Sequence, residues 1–171
     1  MKFSANQDLD IPQFELFDRL SNFESFERQA IRRGVSVSRQ GSLVSMSGLK
    51  WNCSFKLRGR QRTALIELVE FEQGHSVSFY VVNASMNIRV LLDLSALSVN
   101  QTRLIATSVL EAKTLAARLL VQSLKLTRSK ANRRYQSRLS QITSMIVQNA
   151  SCILSVPIGV GRINTKDFEA V

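Results

Sequence analysis

Leu104-Ile105-Ala106-Thr107-Ser108-Val109-Leu110-Glu111-Ala112-Lys113-Thr114-Leu115-Ala116-Ala117-Arg118-Leu119-Leu120 is the stretch that decides the fold. In its first half Leu104, Ala106, Ser108 and Leu110 recur at every second residue, the period of a strand with one buried face. After Lys113 the period changes. Leu120, Leu124, Thr127, Ala131, Tyr135, Leu139, Ile142 and Ile146 follow three-and-four spacing, with no Gly or Pro between Thr114 and Gln148. That pattern predicts an amphipathic helix starting near Thr114, on the order of 50 Å long if unbroken.

Upstream, period two dominates. Val35 and Val37 alternate; Trp51, Cys53, Phe55 and Leu57 alternate with Asn52, Ser54, Lys56 and Arg58. Then come Leu65 to Phe71, a turn at Gln73-Gly74-His75, Val77 to Val82, and Ile88, Val90, Leu92, Leu94, Ala96 before a turn at Asn100-Gln101. Strands arriving in succession with short turns predict an antiparallel meander rather than a parallel βαβ sheet. Residues 3–9 predict a first strand, and two short helices follow it. Asp10 with Gln13, then Ser21 with Glu24, have the spacing of capping boxes. Phe14, Phe17 and Leu20 form one apolar stripe; Phe23, Phe26, Ala30 and Ile31 form the next, stopped by Gly34.

Composition narrows the function. A chain of 171 residues with 44% apolar and 21% charged residues is one folded domain with a sizeable core. Two distant cysteines, Cys53 and Cys152, exclude a disulfide framework, and the single His75 excludes a multi-histidine metal site. The N-terminus has no apolar leader, so a cytoplasmic location is expected. Residues 139–161 carry no charge, but Gln141, Ser144, Gln148, Asn149 and Ser151 interrupt them and Pro157 and Gly159 follow, so a membrane span is not expected.

The order of elements resembles that of the START-like (SRPBCC) helix-grip superfamily, which includes polyketide cyclase/dehydrase-like and coenzyme-Q-binding members. Phe17-Asp18-Arg19-Leu20-Ser21-Asn22-Phe23-Glu24-Ser25-Phe26-Glu27-Arg28, Trp51, Phe55-Lys56-Leu57-Arg58-Gly59, Thr102-Arg103-Leu104 and residues 114–126 are similar to small bacterial members of poorly defined function. The resemblance spans about residues 1–148. It implies an α+β fold in which a curved antiparallel sheet wraps a long C-terminal helix. It implies little chemistry, because this fold hosts lipid carriers, cyclases, hydrolases and chaperone activators. The expected division is a helix-grip domain at 1–149 and an extended tail at 150–171. The apolar run Ile153 to Val160 in that tail is expected to pack on protein, in its own domain or in a homodimer.

Two surfaces are candidates for function. Trp51, Phe55, Phe79, Leu92, Leu94 and Leu124 suit a cavity for a hydrophobic small molecule or lipid, and equally suit a filled core. Residues 1–111 carry 13 basic and 11 acidic side chains, whereas 112–171 carry 10 and 2. Lys125, Arg128, Lys130, Arg133, Arg134 and Arg138 therefore suit an anionic membrane or acidic partner, or simply the solvated face of a helix. Nucleic acid is a weaker match, since only Tyr135 interleaves with these charges. Lys56, Arg58, Arg60 and Arg62 share parity and would share a face on an uninterrupted strand, which Gly59 can bend or bulge; the water-facing side of the sheet, with Glu67, Glu70 and Glu72 available to pair with them, is the favoured reading.

Catalysis has little support. The titratable candidates are His75, Asp93, Glu67 and Glu111; His75 falls in a turn and Asp93 alternates with Leu92 and Leu94, while Cys53, with the parity of Trp51 and Phe55, reads as a small buried hydrophobe. No nucleophile–base pair, phosphate-cradling loop or metal spacing stands out, so no metal or cofactor is expected. The expectation is non-catalytic binding of a hydrophobic ligand. The alternatives are an adaptor docking on an anionic membrane, such as the inner membrane, or on an acidic partner through its basic C-terminal helix, or, by resemblance alone, a polyketide cyclase/dehydrase-like enzyme.

Overall fold

The computed structural model describes residues 1–42, 46, 48–57 and 59–148. The expected tail at 150–171, with its extended form and packing, lies outside the described residues. Strand β1 (Lys2–Leu9) is followed by helices α1 (Gln13–Ser21) and α2 (Phe23–Arg32). Six strands follow: β2 (Ser36–Gln40), β3 (Lys50–Leu57), β4 (Arg60–Glu72), β5 (Ser76–Asn83), β6 (Met86–Ser98) and β7 (Gln101–Ala112). The chain then forms α3 (Leu115–Leu126) and α4 (Arg128–Gln148).

The seven strands make one antiparallel sheet in the order β1-β7-β6-β5-β4-β3-β2. Its period-two pattern sets the layering. Trp51 lies opposite Ile66, Ile66 opposite Val81, Val81 opposite Ile88 and Ile88 opposite Leu110, so one row of apolar residues crosses five strands on one face. Leu68, Phe79, Val90, Ser108 and Phe3 form the next row. This inner face packs on the helices. Val77, Val81, Val90 and Leu104 of the sheet and Leu139 and Ile146 of the last helix, α4, are among the fully enclosed residues at this contact. Register shifts between Leu68 and Glu70 and between Ala96 and Ser98 interrupt the two longest strands, where bulges bend and twist a sheet.

The two tandem helices form, with altered caps. Pro12 occupies the N-cap of α1 with no side-chain hydrogen bond, because Asp10 instead accepts from Gln101 (2.9 Å) and Gln13 donates to the Gly74 carbonyl (2.7 Å). Asn22, not Ser21, caps α2, accepting from the Ser25 amide at 3.1 Å. Ser21 donates back to the Phe17 carbonyl. The stripes shift as well. Leu16 rather than Phe14 is buried in α1, and Gln29 rather than Ile31 in α2. Arg19 donates to the carbonyls of Ile146 and Val147 at 2.9 and 3.2 Å, placing a cation at the negative end of α4.

The terminal helix starts where the period predicts, with Thr114 capping the Ala117 amide, but it is not one straight rod. Thr127 breaks it, with φ −105° and ψ 31°. Its hydroxyl donates to the Ser123 carbonyl (3.1 Å) while the Ser123 hydroxyl donates to that of Leu120 (2.8 Å). Such back-bonding by Ser and Thr bends helices. The Thr127 and Ala131 amides still find the carbonyls four residues back, so the break is confined to one residue. It lets α3 lie against β7 while α4 lies along β1.

Candidate functional site

The inner face begins with aromatic residues. Trp51 on β3 and Phe79 on β5 are buried, and Phe23 of α2 meets both edge-on, with ring centroids 5.3 and 6.0 Å away. Phe71 meets Phe17 at 5.2 Å and Phe23 at 6.4 Å. Edge-to-face packing of this kind fills the α1–α2 end and orients each ring. The Trp51 indole N–H donates to Glu27 Oε1 at 2.7 Å, and Arg39 pairs with the same oxygen at 3.0 Å. Glu27 thus ties α2 to β2 and β3, and it satisfies the one polar atom of the tryptophan.

Deeper in, under α4, lies a polar pair within apolar surroundings. Tyr135 Oη and Ser108 Oγ are 2.8 Å apart, and the tyrosine ring stacks on Phe3 at 5.8 Å. Burial pushes the Tyr135 phenol above its ordinary value, against the opposing effect of the Ser108 hydrogen bond. Both hydroxyls therefore stay protonated over the physiological range, and either can donate.

The predicted cavity residues fall on this face. Trp51, Phe79, Leu92 and Leu94 are buried, while Phe55 and Leu124 are half-buried and packed against the core. Val37, Cys53, Ile66 and Leu110 share that half-buried state. The Cys53 thiol is pushed up by burial and, less strongly, by the Glu27 carboxylate. Among the described residues no group of three or more His, Cys, Asp or Glu could hold a metal ion. His75 is exposed, 3.3 Å from Gln13 Nε2, and Asp93 lies on the other face, opposite Ser76.

Gly59 interrupts the strand, so the shared parity of the basic residues does not become a shared face. Phe55 lies opposite Arg62 and Leu57 opposite Arg60, whereas Lys56 lies opposite Gln61. The β3–β4 turn, with Gly59 at φ 72°, therefore carries Arg60 and Arg62 to the Phe55 face and leaves Lys56 on the other. Arg58 lies outside the described residues. Glu67 pairs with Lys50 at 3.0 Å rather than with these arginines.

Lys125 on α3 and Arg128, Lys130, Arg133, Arg134 and Arg138 on α4 are all exposed. Sequence reasoning missed three other exposed residues, Leu115, Leu119 and Leu126 at 76%, 67% and 88%. It also missed the Tyr135–Ser108 pair and Glu27. The leucines had a signal, since they are out of phase with the Leu120–Leu124 stripe. A further groove of about 600 Å³ lies over the outer face, lined by Ser36, Ser38, Asn52, Ser54, Thr63 and Lys113 among others.

No protein-family model and no curated protein sequence matches the chain. Solved structures do. The protein TTHA0849 of Thermus thermophilus aligns at 12% identity with a TM-score of 0.61, over 86% of this chain and 98% of its own. The Zhui aromatase/cyclase of Streptomyces sp. R1128 aligns at 10% identity with a TM-score of 0.57, over 90% and 99%. Ara h 8.0201 aligns at 11% identity with a TM-score of 0.58, over 87% and 99%. The chain has the START-like helix-grip fold. At such identities the likeness extends to the fold and not to the chemistry. Among the described residues no helix is long and apolar enough to cross a membrane.

Proposed function

We propose that the protein binds a hydrophobic small molecule or lipid, without catalysing its conversion, between the inner face of the sheet and the terminal helices. The observation that carries this reading is the half-buried apolar set Val37, Cys53, Phe55, Ile66, Leu110 and Leu124, which adjoins the closed core without being enclosed by it. An apolar lining with a few convergent polar groups is the usual make-up of a small-molecule site. Trp51, Phe79, Leu92 and Leu94 supply the floor, and the Tyr135–Ser108 hydroxyls supply one polar fitting for a ligand head. Among proteins of this fold, one is an aromatase/cyclase.

Native mass spectrometry of the purified protein is expected to show a lipophilic mass that Phe55→Glu removes, with circular dichroism showing that the variant stays folded. Trp51 is the only tryptophan in the chain, so its emission reports directly on this face. The reading fails if no such mass is found and Trp51 emission is unchanged by either a long-chain fatty acid or a polycyclic aromatic probe.

A further inference from the structure

Helix α3 presents apolar residues on two opposite sides. At about 100° per residue, Ala117, Leu120, Val121 and Leu124 share the side turned to the sheet, whereas Leu115, Leu119 and Leu126 fall within roughly 40° of one another on the far side. Ala117 is buried and Leu120, Val121 and Leu124 are half-buried, which fixes the orientation. The far-side leucines stand in solvent over the whole length of the helix. Scattered exposed apolar residues need no explanation, but three in one stripe do.

The charges beside the stripe indicate its partner. Arg118 and Lys125 flank it on one side and Arg128 follows its last leucine. None of these three is paired with a carboxylate among the described residues. From Lys113 to Gln148 the chain contains no acid. A second copy of the chain would bring the same cations to the contact and be repelled. Residues 150–171 hold two basic and two acidic side chains, so they would cover the leucines without neutralising the arginines.

We propose that α3 docks the protein on an anionic lipid surface, with Leu115, Leu119 and Leu126 entering the headgroup layer and Arg118, Lys125 and Arg128 on the lipid phosphates. A leucine face bordered by long cationic side chains is the pattern of a helix lying in a membrane interface, and those side chains reach the phosphates while their stems stay on apolar surface. The docking goes beyond the ligand reading and does not depend on it. It moves the contact from the middle of α4 to α3 and the first residue of α4, where, among the described residues, several exposed leucines stand beside cations.

The test is co-sedimentation of the full chain with phosphatidylcholine vesicles and with vesicles of phosphatidylcholine mixed with phosphatidylglycerol. Binding is expected only to the mixed vesicles and is expected to fall as salt is raised. Arg118→Gln with Lys125→Gln should weaken it by on the order of tenfold or more at low salt, at roughly fivefold per charge. Leu119→Ser with Leu126→Ser should weaken it at least as much at every salt concentration. All four side chains are exposed, so melting temperature and Trp51 emission should hold. Equal binding to both vesicle types overturns the proposal, as does full binding by the leucine variant. It is also overturned if the leucine variant turns a dimer into a monomer in light scattering while vesicle binding is unchanged. The co-purifying ligand mass is read separately, so either idea can fail alone.

Discussion

Replacing Tyr135 by Phe removes one hydroxyl from the interior and almost nothing else. The ring stays stacked on Phe3, but Ser108, only 1% exposed, loses its 2.8 Å partner. Ser108 sits on the inner face of β7 opposite Val90 on one side and Phe3 on the other, so no polar neighbour replaces the lost group. Stranding a buried hydroxyl costs about 1–3 kcal/mol. For a domain of this size each kcal/mol lowers the melting temperature by about 2–4 °C, so the variant should melt about 2–12 °C lower. Ser108→Ala should cost a similar amount by stranding the tyrosine. The double variant should cost less than the two singles together, since no polar group is then left without a partner.

The same pair makes a statement about pH. Burial raises the Tyr135 phenol in the folded protein above its unfolded value of about 10. The folded state therefore holds this proton where the unfolded chain has lost it. Its contribution is complete below about pH 10 and is lost as pH rises toward the folded value. The stability advantage of the wild type over Tyr135→Phe should accordingly shrink above that pH. Urea denaturation of the four proteins of the cycle, at neutral and alkaline pH, measures all of this. An unchanged melting temperature for Tyr135→Phe, or a double variant equal to the sum of the singles, would refute the reasoning.

Gly74 has φ 80°, and a Cβ there would meet the Phe14 ring at 2.7 Å. Gly74→Ala should cost about 1–2 kcal/mol, and Phe14→Ala should not rescue it, because the ring is 72% exposed and free to swing away while the backbone strain remains; full rescue in thermal melts would refute this. In a Cys152→Ser background, Cys53 should react with a disulfide reagent at pH 8 more slowly than a peptide thiol, and Glu27→Gln should speed it by removing the adjacent negative charge; labelling at the peptide rate would contradict both. Hydrogen exchange should be faster across α3, where only Ala117 is buried, than across α4, where Tyr135, Leu139, Ile142 and Ile146 are; equal protection would show that α3 is held as firmly.

The layering of the sheet was legible because a strand with one buried face writes its orientation into every second residue. Trp51, Leu92 and Leu94 share a face with their alternating apolar neighbours by parity, and the register puts them on the inner face. Parity failed where a turn intervened. Lys56 and Arg62 have the same parity in the chain, but the β3–β4 turn puts them on opposite faces, because cross-strand partners and not residue numbers define a face. Caps failed for a related reason. Asp10 and Ser21 have suitable side chains, yet each found a partner elsewhere, Gln101 across the fold and the Phe17 carbonyl one turn back.

The terminal helix shows what a single period conceals. Leu120, Leu124, Ala131, Tyr135 and Leu139 read as one continuous stripe, and a straight rod satisfies that reading. It leaves Leu115, Leu119 and Leu126 without a role, because on one rod they point away from everything the stripe touches. The break at Thr127 changes that. Once α3 and α4 are separate helices, each needs only its own contact with the sheet, and α4 supplies the greater part of the burial. Helix α3 is then held by the short side chain of Ala117 and the half-buried Leu120, Val121 and Leu124, which leaves its outer side available for a second contact. Evolution could have made that outer side polar at no cost to the fold, since Leu115, Leu119 and Leu126 bury little against the protein. The proposed docking accounts for both features at once, since the leucines enter an anionic surface and the cations beside them meet its charge.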